Sequence, residues 1–351
     1  MAPIKLGVVG LSVDGWFKNA HLPSLQALSD SYTLTAAATS RQESADQVGE
    51  YYHIKAFSGP DSAEQLAHDE DVDMVVVAIK TPLHKQLAMH AVNAGKPVFL
   101  EWPLGNGLEE AIQLADAAKK RGIRTMIGLQ ARQDPAILKA KELLNGGKIG
   151  KILSTNMIGY GGSWGAQVPQ RDAYTLDSKN GTTLISVPFG HFVDALVYLL
   201  GEFESLSAYK ATTRTQTTIE GTGEKVRGTA EDQLVVQGQL KSGALAAVHY
   251  KGGQQAPGSE GLVWEIEGEE GIITFKAAGV GHIQLISPKL YLNGEQVDLP
   301  EDKLGNIGRL YEAFAKDDRS GYNDWDHAVR NHRILDAVER SIKEGKRQSY
   351  V

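Results

Sequence analysis

The first part of the chain alternates between short apolar runs and segments with helical spacing. Ile4–Val9 is apolar and runs into glycine, and behind it apolar residues recur at helical intervals through Leu28. Tyr32–Ala38 is apolar again, Gln42–Tyr52 has helical spacing, Lys55–Phe57 reads as a brief strand and Ala63–Asp69 as a helix. Asp73–Ile79 (DMVVVAI) is the most β-branched run of the protein. A helix over Leu83–Ala94 stops at Gly95, and a strand over Pro97–Leu100 follows. A helix over Leu108–Arg121 is stopped by Gly122, and Thr125–Leu129 reads as another strand. Short strands alternating with helices of ~10–15 residues predict βαβ units and a parallel sheet. Uninterrupted apolar strands fit a sheet covered on both faces.

Beyond about residue 150 the texture changes. Ile152–Tyr160, Ser205–Thr213, Asp232–Lys241, Ala244–Lys251, Leu262–Glu267, Gly271–Phe275 and His282–Ile286 read as strands separated by turn residues. Some alternate apolar with polar, as in Asp232–Leu240 (DQLVVQGQL). One strong helix over Phe189–Leu200 interrupts them, and Asp324–Glu344 returns to helical spacing and ends at Gly345. The expected fold class is α/β: a doubly wound parallel sheet over residues 1–125, then an α+β domain over 126–351 on a largely antiparallel open sheet. The helix 324–344 is expected to pack back toward the first domain.

Composition narrows the chemistry. A length of 351 residues fits about two domains of roughly 150 each. The net charge of -7 lacks the basic face of a nucleic-acid binder. Zero Cys excludes disulfides, thiolate metal sites and a cysteine nucleophile. No metal-ligand spacing is present. The opening apolar run is shorter than a secretory signal, and no stretch is read as a membrane span of ~20 apolar residues. A cytoplasmic protein is expected, with no membrane and no direct nucleic-acid contact.

The turn after the first strand carries the first chemical signal. Gly10-Leu-Ser12-Val-Asp-Gly15-Trp16 stands where a dinucleotide fingerprint G-x-G-x-x-G would join strand to helix. Its first glycine makes the tight turn, its second admits the pyrophosphate and its third allows close helix packing. Ser12 replaces the middle glycine, and its hydroxyl is itself a phosphate ligand. NAD-preferring sites place an acid at the end of the second strand to hold the ribose 2′-hydroxyl. Here Thr39-Ser40-Arg41 supplies hydroxyls and a guanidinium instead. That favours a 2′-phosphate, so NADP(H) is expected as the preferred cofactor, with NAD(H) second.

Further segments carry a resemblance. The glycine turn with His21-Leu-Pro23, Thr81-Pro82-Leu-His84, Glu101-Trp102-Pro103 and His191-Phe-Val-Asp194 resemble the Gfo/Idh/MocA oxidoreductase family over essentially the whole chain. Within it, Gly15-Trp16, Leu129-Gln130-Ala-Arg132, Ile137–Leu143, Phe189-Gly-His191 and Lys251-Gly-Gly253 resemble the branch of the fungal galactose-regulon repressor Gal80 and its relatives. The resemblance implies a Rossmann domain and an α+β domain whose open sheet often forms a homodimer or homotetramer. It places Gly10, Ser12, Gly15, Trp16, Ser40, Arg41, Ile79, Thr81, His84, Glu101, Trp102 and Gln130 at the cofactor.

The family's usual dehydrogenases have Glu-Lys-Pro where this chain has Glu101-Trp102-Pro103, and often an Asp at the position of Val187. An alcohol or carbonyl oxygen needs a group that moves its proton. Indole carries one N–H donor and cannot exchange a proton at neutral pH. His191 is the best remaining acid–base residue, since imidazole ordinarily titrates near ~6.5. Lys80, at the end of the DMVVVAI strand, and Tyr160 are the other catalytic candidates. Trp164, Tyr174 and Asp194 are expected to line the space for a small-molecule substrate. Two functions fit. One is an oxidoreductase acting on a small carbonyl, hydroxyl or imine compound. The other is a non-catalytic, Gal80-like regulator, nuclear as well as cytoplasmic, that binds the dinucleotide as a ligand and acts through a protein partner.

Overall fold

The computed structural model describes residues 2–350. The chain divides into two compact units: residues 1–133 with 303–330, and residues 134–302 with 331–351. The first unit thus runs past the expected boundary at 125 and takes in a later segment.

The first unit holds strands β1 Ile4–Val9, β2 Tyr32–Thr39, β3 Lys55–Ser58, β4 Met74–Val77, β5 Val98–Leu100 and β6 Thr125–Ile127, all parallel, in the order β3-β2-β1-β4-β5-β6. This is the doubly wound arrangement, with the strand order reversing between β1 and β4. All of β4 is buried, as its unbroken Met-Val-Val-Val requires. The helices are α1 Trp16–Ala20, α2 Leu22–Ala27, α3 Gln42–Tyr52, α4 Ser62–His68, α5 His84–Asn93 and α6 Leu108–Lys120. Helix α6 shows why they form: Ala111, Leu114, Ala115 and Ala118 recur on one buried stripe. Glu109 and Glu110 lie in its first turn and Lys119 and Lys120 in its last, each charge set matching the helix dipole.

Three expectations need revision. The helical pattern through Leu28 is two short helices, because His21 closes α1 and Pro23 opens α2. A helix unread in the pattern, Gly305–Ala315, buries Ile307, Leu310, Tyr311 and Phe314 in the core of the first unit. His282–Ile286 is not a strand: Ile283 N–H bonds Gly281 O, and the Leu285 and Ile286 N–H groups bond His282 O, so the segment is a run of turns.

The second unit is built on an eight-stranded sheet. Its strands are β7 Ile152–Tyr160, β9 Phe203–Ala211, β12 Gln233–Leu240, β13 Leu245–Lys251, β14 Leu262–Gly268, β15 Gly271–Ala277, β16 Lys289–Leu292 and β17 Glu295–Gln296. Their order is β17-β16-β15-β14-β7-β13-β12-β9, antiparallel throughout except for the parallel β7–β13 pair. A small sheet of β8 Gln167–Pro169, β10 Thr217–Glu220 and β11 Lys225–Val226 closes over Val168, Leu176 and Ile219. The expected α/β class with a largely antiparallel second sheet is thus what the chain forms.

Helices pack in this unit as well. Helix α7, Pro135–Asn145, starts with Asp134 accepting from Ala136 N–H at 2.8 Å and Pro135 in its first turn. Helix α8, Gly190–Leu200, is buried on nearly every side, as its apolar sequence dictates. Residues 178–200 are long and apolar enough to cross a membrane by composition alone, contrary to the sequence reading. Of the most apolar window, 78% is buried inside the protein, which makes this stretch a core element. The helix Trp325–Glu344 contributes its start to the first unit and residues from Asn331 onward to the second.

Candidate functional site

In the first unit the glycine turn leaves β1 at the point where strand order reverses, the usual ligand crevice of such sheets. Gly10 has φ +92°, and a Cβ there would lie 2.6 Å from Ala78 O and 3.3 Å from Ile79 Cβ. Close approach to the end of β4 therefore demands glycine. A Cβ on Gly15 would collide with the Ser12 hydroxyl. Among the described residues, the main-chain N–H groups of Ser12 to Trp16 take no hydrogen-bond acceptor. A run of free N–H donors behind a positive-φ glycine fits a pyrophosphate. Trp16 itself is 40% exposed.

At the end of β2, Thr39 Oγ1 donates to Arg41 O at 3.0 Å and fixes the turn. Ser40 and Arg41 are exposed, and Arg41 Nη2 reaches Ser44 Oγ at 3.4 Å. A hydroxyl and a guanidinium thus stand where the ribose is expected.

After β4, Ile79 is half-buried, Lys80 exposed and Thr81 buried. His84 is buried with both ring nitrogens against carbonyls, Nδ1 at 2.7 Å from Pro103 O and Nε2 at 2.8 Å from Ile79 O. Burial lowers its pKa and the two carbonyls oppose that. Its ring ties the segment after β4 to the Trp102–Pro103 turn, whose peptide is cis. Trp102 is 5% exposed. Gln130 is buried, and its Oε1 has no hydrogen-bond partner among the described residues. Such an acceptor costs about 1–3 kcal/mol unless something donates to it, and the carboxamide of a nicotinamide is a group of the right kind.

Glu101 reveals a network that sequence reasoning missed. Its Oε1 lies 2.6 Å from Nε2 of the fully buried His21, and His21 Nδ1 lies 3.0 Å from Tyr311 Oη. Burial holds the Tyr311 phenol well above the usual tyrosine range. The phenol therefore stays protonated, and the His21 ring bridges it to the Glu101 carboxylate. Tyr32 Oη donates to Tyr311 O at 2.7 Å and anchors the far end. The signal was His21-Leu-Pro23, but Tyr311 lies on the unread helix. We expect Tyr311→Phe to cost about 1–3 kcal/mol, since it leaves a buried ring nitrogen unpaired. Urea unfolding measures it, and an unchanged midpoint would show the relay to be energetically idle.

In the second unit, His191 is the second residue of α8 and 5% exposed. A π-helical turn, Ile185–Phe189, with Pro188 inside it, leads into the helix. π turns recur at functional sites because the widened turn redirects side chains. Asn331 Nδ2 donates to Gly190 O at 3.0 Å and steadies this end. Asp194 lies one turn on and is buried.

Tyr160, Trp164 and Tyr174 share this unit but differ in character. Trp164 has φ +59°, a conformation that costs a bulky residue about 1–3 kcal/mol. Its Nε1 donates to Thr175 O at 3.1 Å. Burial raises the Tyr174 phenol, with the Thr182 hydroxyl opposing. The Tyr160 phenol is held below the usual tyrosine range. The Ser259 hydroxyl contributes most to this, and the Ala256 main chain and the Lys251 ammonium add to it against the effect of burial.

Comparisons with known proteins define the class. A family model described as oxidoreductase family, NAD-binding Rossmann fold, matches residues 4–129, and one described as Gal80p, C-terminal domain, matches residues 135–277. A dehydrogenase, aclE of Aspergillus oryzae, is 31% identical over 99% of this chain and 98% of its own length. The chain belongs to the Gfo/Idh/MocA oxidoreductase family and carries a Gal80-type C-terminal domain. The galactose/lactose metabolism regulatory protein GAL80 of Kluyveromyces lactis is 31% identical over 83% of this chain and 67% of its own. The crystal structure of a super-repressor mutant of Gal80p from Saccharomyces cerevisiae superposes with a TM-score of 0.90 at 28% identity, covering 99% of this chain and 98% of that one. Levoglucosan dehydrogenase in complex with NADH and L-sorbose shares the fold, at a TM-score of 0.80 and 20% identity over the full length of both chains.

Proposed function

We propose that the chain is an oxidoreductase that prefers NADP(H) and moves hydride to or from a small carbonyl, hydroxyl or imine compound. The observation that carries this reading is the Gly10–Trp16 turn, with its unpaired N–H groups and the Ser40–Arg41 pair at the end of β2. Full-length similarity to a dehydrogenase supports it. The dinucleotide, when bound, supplies or accepts the hydride. The chain does the rest. Ser12 and the turn amides hold the pyrophosphate, and Gln130 Oε1 takes the carboxamide. Ile79, Thr81, His84 and Glu101 frame the nucleotide site. Trp102 shapes the pocket without moving protons. His191 attends the reacting oxygen, with Lys80 and Tyr160 as further proton-handling candidates. Trp164, Tyr174 and Asp194 meet the substrate. The test is a panel of sugars, ketones and imines with NADPH, followed at the nicotinamide absorbance band. Cofactor binding with no absorbance change for any compound would sink the enzyme reading.

Arg41 makes the cofactor preference testable. Loss of a charge-assisted contact to phosphate costs about 1.5–3 kcal/mol, or roughly ten- to a hundredfold in affinity. Arg41→Ala is therefore expected to weaken NADPH by that factor and NADH little. Equal weakening of both, measured by titration calorimetry, would remove the 2′-phosphate assignment.

The second reading is a regulator of the Gal80 kind, acting through a protein partner in cytoplasm and nucleus. It is favoured by the Gal80p C-terminal match and by Trp102 in place of a proton-moving lysine. Under either reading a homodimer or homotetramer would form on the open sheet. There Ile158, Tyr209 and Leu245, on strands that alternate buried and exposed positions, stand 48%, 68% and 61% exposed.

A further inference from the structure

Helix α8 is entered through a turn wider than an α-helix, and the sequence gives the cause. An α-helix would bring the N–H of residue 188 to Leu184 O, but Pro188 has no N–H. Leu184 O therefore accepts from Phe189 N–H at 3.2 Å, and Gly190 N–H bonds Ile185 O in the same widened pattern. Successive helix residues stand about 100° apart around the axis. The extra residue thus decides which way His191, second in α8, faces relative to the turn before it.

A proline opens such a turn but does not hold its entrance. The Ile185 N–H is one of the donors that a helix start leaves over, and Glu231 Oε1 accepts it at 3.1 Å. Glu231 is 2% exposed. It stands just before β12, beyond the end of the β9–β12 ladder, where Gln233 pairs with Ala211. Lys210, near the end of β9, brings its Nζ to 3.5 Å from Glu231 Oε2 and 3.4 Å from Glu339 Oε2. Asp232, the next residue, is committed elsewhere: it accepts from the Thr213 and Arg214 main chains at 2.8 and 2.7 Å. Within the turn, Ser186 Oγ donates to Gly181 O at 2.7 Å and accepts from Thr183 N–H at 2.8 Å.

A serine, threonine or asparagine caps a helix start without a buried charge. A carboxylate taken out of water is costly unless it is paired and hydrogen-bonded. What the carboxylate adds is a charge-assisted bond, roughly twice as strong as a neutral one. We propose that Glu231 is a positioning residue: its carboxylate fixes the first N–H of the π turn and thereby the place of the His191 ring within its own unit. It touches no substrate and acts only through the main chain. Lys210 balances its charge without setting the turn.

This inference rests on the oxidoreductase reading, in which His191 attends the reacting oxygen, so its decisive test does not use turnover. In the full chain, histidines are labelled with 13C at Cε1 and observed by NMR, the His191 signal being assigned by its loss in His191→Ala. Glu231→Ala is expected to move that signal. Glu231→Gln, whose amide oxygen still accepts from Ile185, should keep it near its place, and so should Lys210→Met. An unmoved His191 signal in Glu231→Ala overturns the proposal, and so does a shift in Lys210→Met as large as in Glu231→Ala. Should Glu231→Ala fail to fold, Glu231→Gln decides. Its neutral acceptor makes a weaker bond, so the Ile185 amide proton, assigned by its loss in Ile185→Val, is expected upfield. An unmoved amide proton overturns the role. Once a substrate is known, Glu231→Ala should lower kcat by about a hundredfold with the KM for NADPH kept, and Glu231→Gln should restore most of it; undiminished kcat in Glu231→Ala counts against the role. A chain that oxidises no NADPH defeats the oxidoreductase reading, while the His191 signal still decides what Glu231 does.

Discussion

Gly10→Val is expected to abolish dinucleotide binding and to destabilise the first unit by roughly 2–4 kcal/mol. Two costs add. The backbone at φ +92° is strained for any side chain and worst for a β-branched one. The Cβ would also lie 2.6 Å from Ala78 O, a main-chain atom held by the Ala78 N–H bond to Val9 O at 3.0 Å. Neither partner can yield without parting the ends of β1 and β4, where the nucleotide is proposed to sit. A control separates the two costs. Gly59 has φ +88° with nothing within 4 Å of its Cβ position, so Gly59→Ala reports conformation alone. It should cost about 1 kcal/mol and spare binding. Calorimetric unfolding and NADPH titration measure both. If Gly10→Val binds NADPH normally, the turn is not the cofactor cradle.

Legibility from sequence followed the range of the interactions. Local signals were plain. Met74–Val77 reads as a buried strand because both its faces are apolar, and Gly10 reads as a turn because only glycine fits. The α/β class and the family followed from such signals repeated along the chain. What failed was pairing at long range. The apolar stripe Ile307–Phe314 is clear once seen, yet only the fold shows that it closes the core of the first unit and carries Tyr311 to His21. Apolar alternation at His282–Ile286 mimics a strand, but the chain bonds to itself there and makes turns. Tyr160 was legible as an aromatic beside glycines. Its relation to Lys251 was not, because register between β7 and β13 is a property of the sheet and no local spacing encodes it.

His191→Ala should lower kcat by about a hundred- to ten-thousandfold while leaving NADPH affinity within a factor of about two. Alanine suits a helix interior, and α8 keeps its burial through Phe192, Val193, Leu196 and Leu199, so the fold should survive. The Asn331 bond to Gly190 O is main-chain at its accepting end and is untouched by the substitution. Loss of rate without loss of cofactor is then specific to the reacting oxygen. The π turn makes the position sensitive, because it sets where α8 begins. Pro188→Ala, which would let that turn relax toward an ordinary α-helix, should reproduce part of the loss with the imidazole still present. Both variants are measured by steady-state NADPH oxidation and by equilibrium NADPH binding. Undiminished kcat in His191→Ala would withdraw the residue from the chemistry and leave proton handling to Tyr160 or Lys80. Loss of NADPH binding in parallel with rate would instead make His191 a structural residue of the second unit.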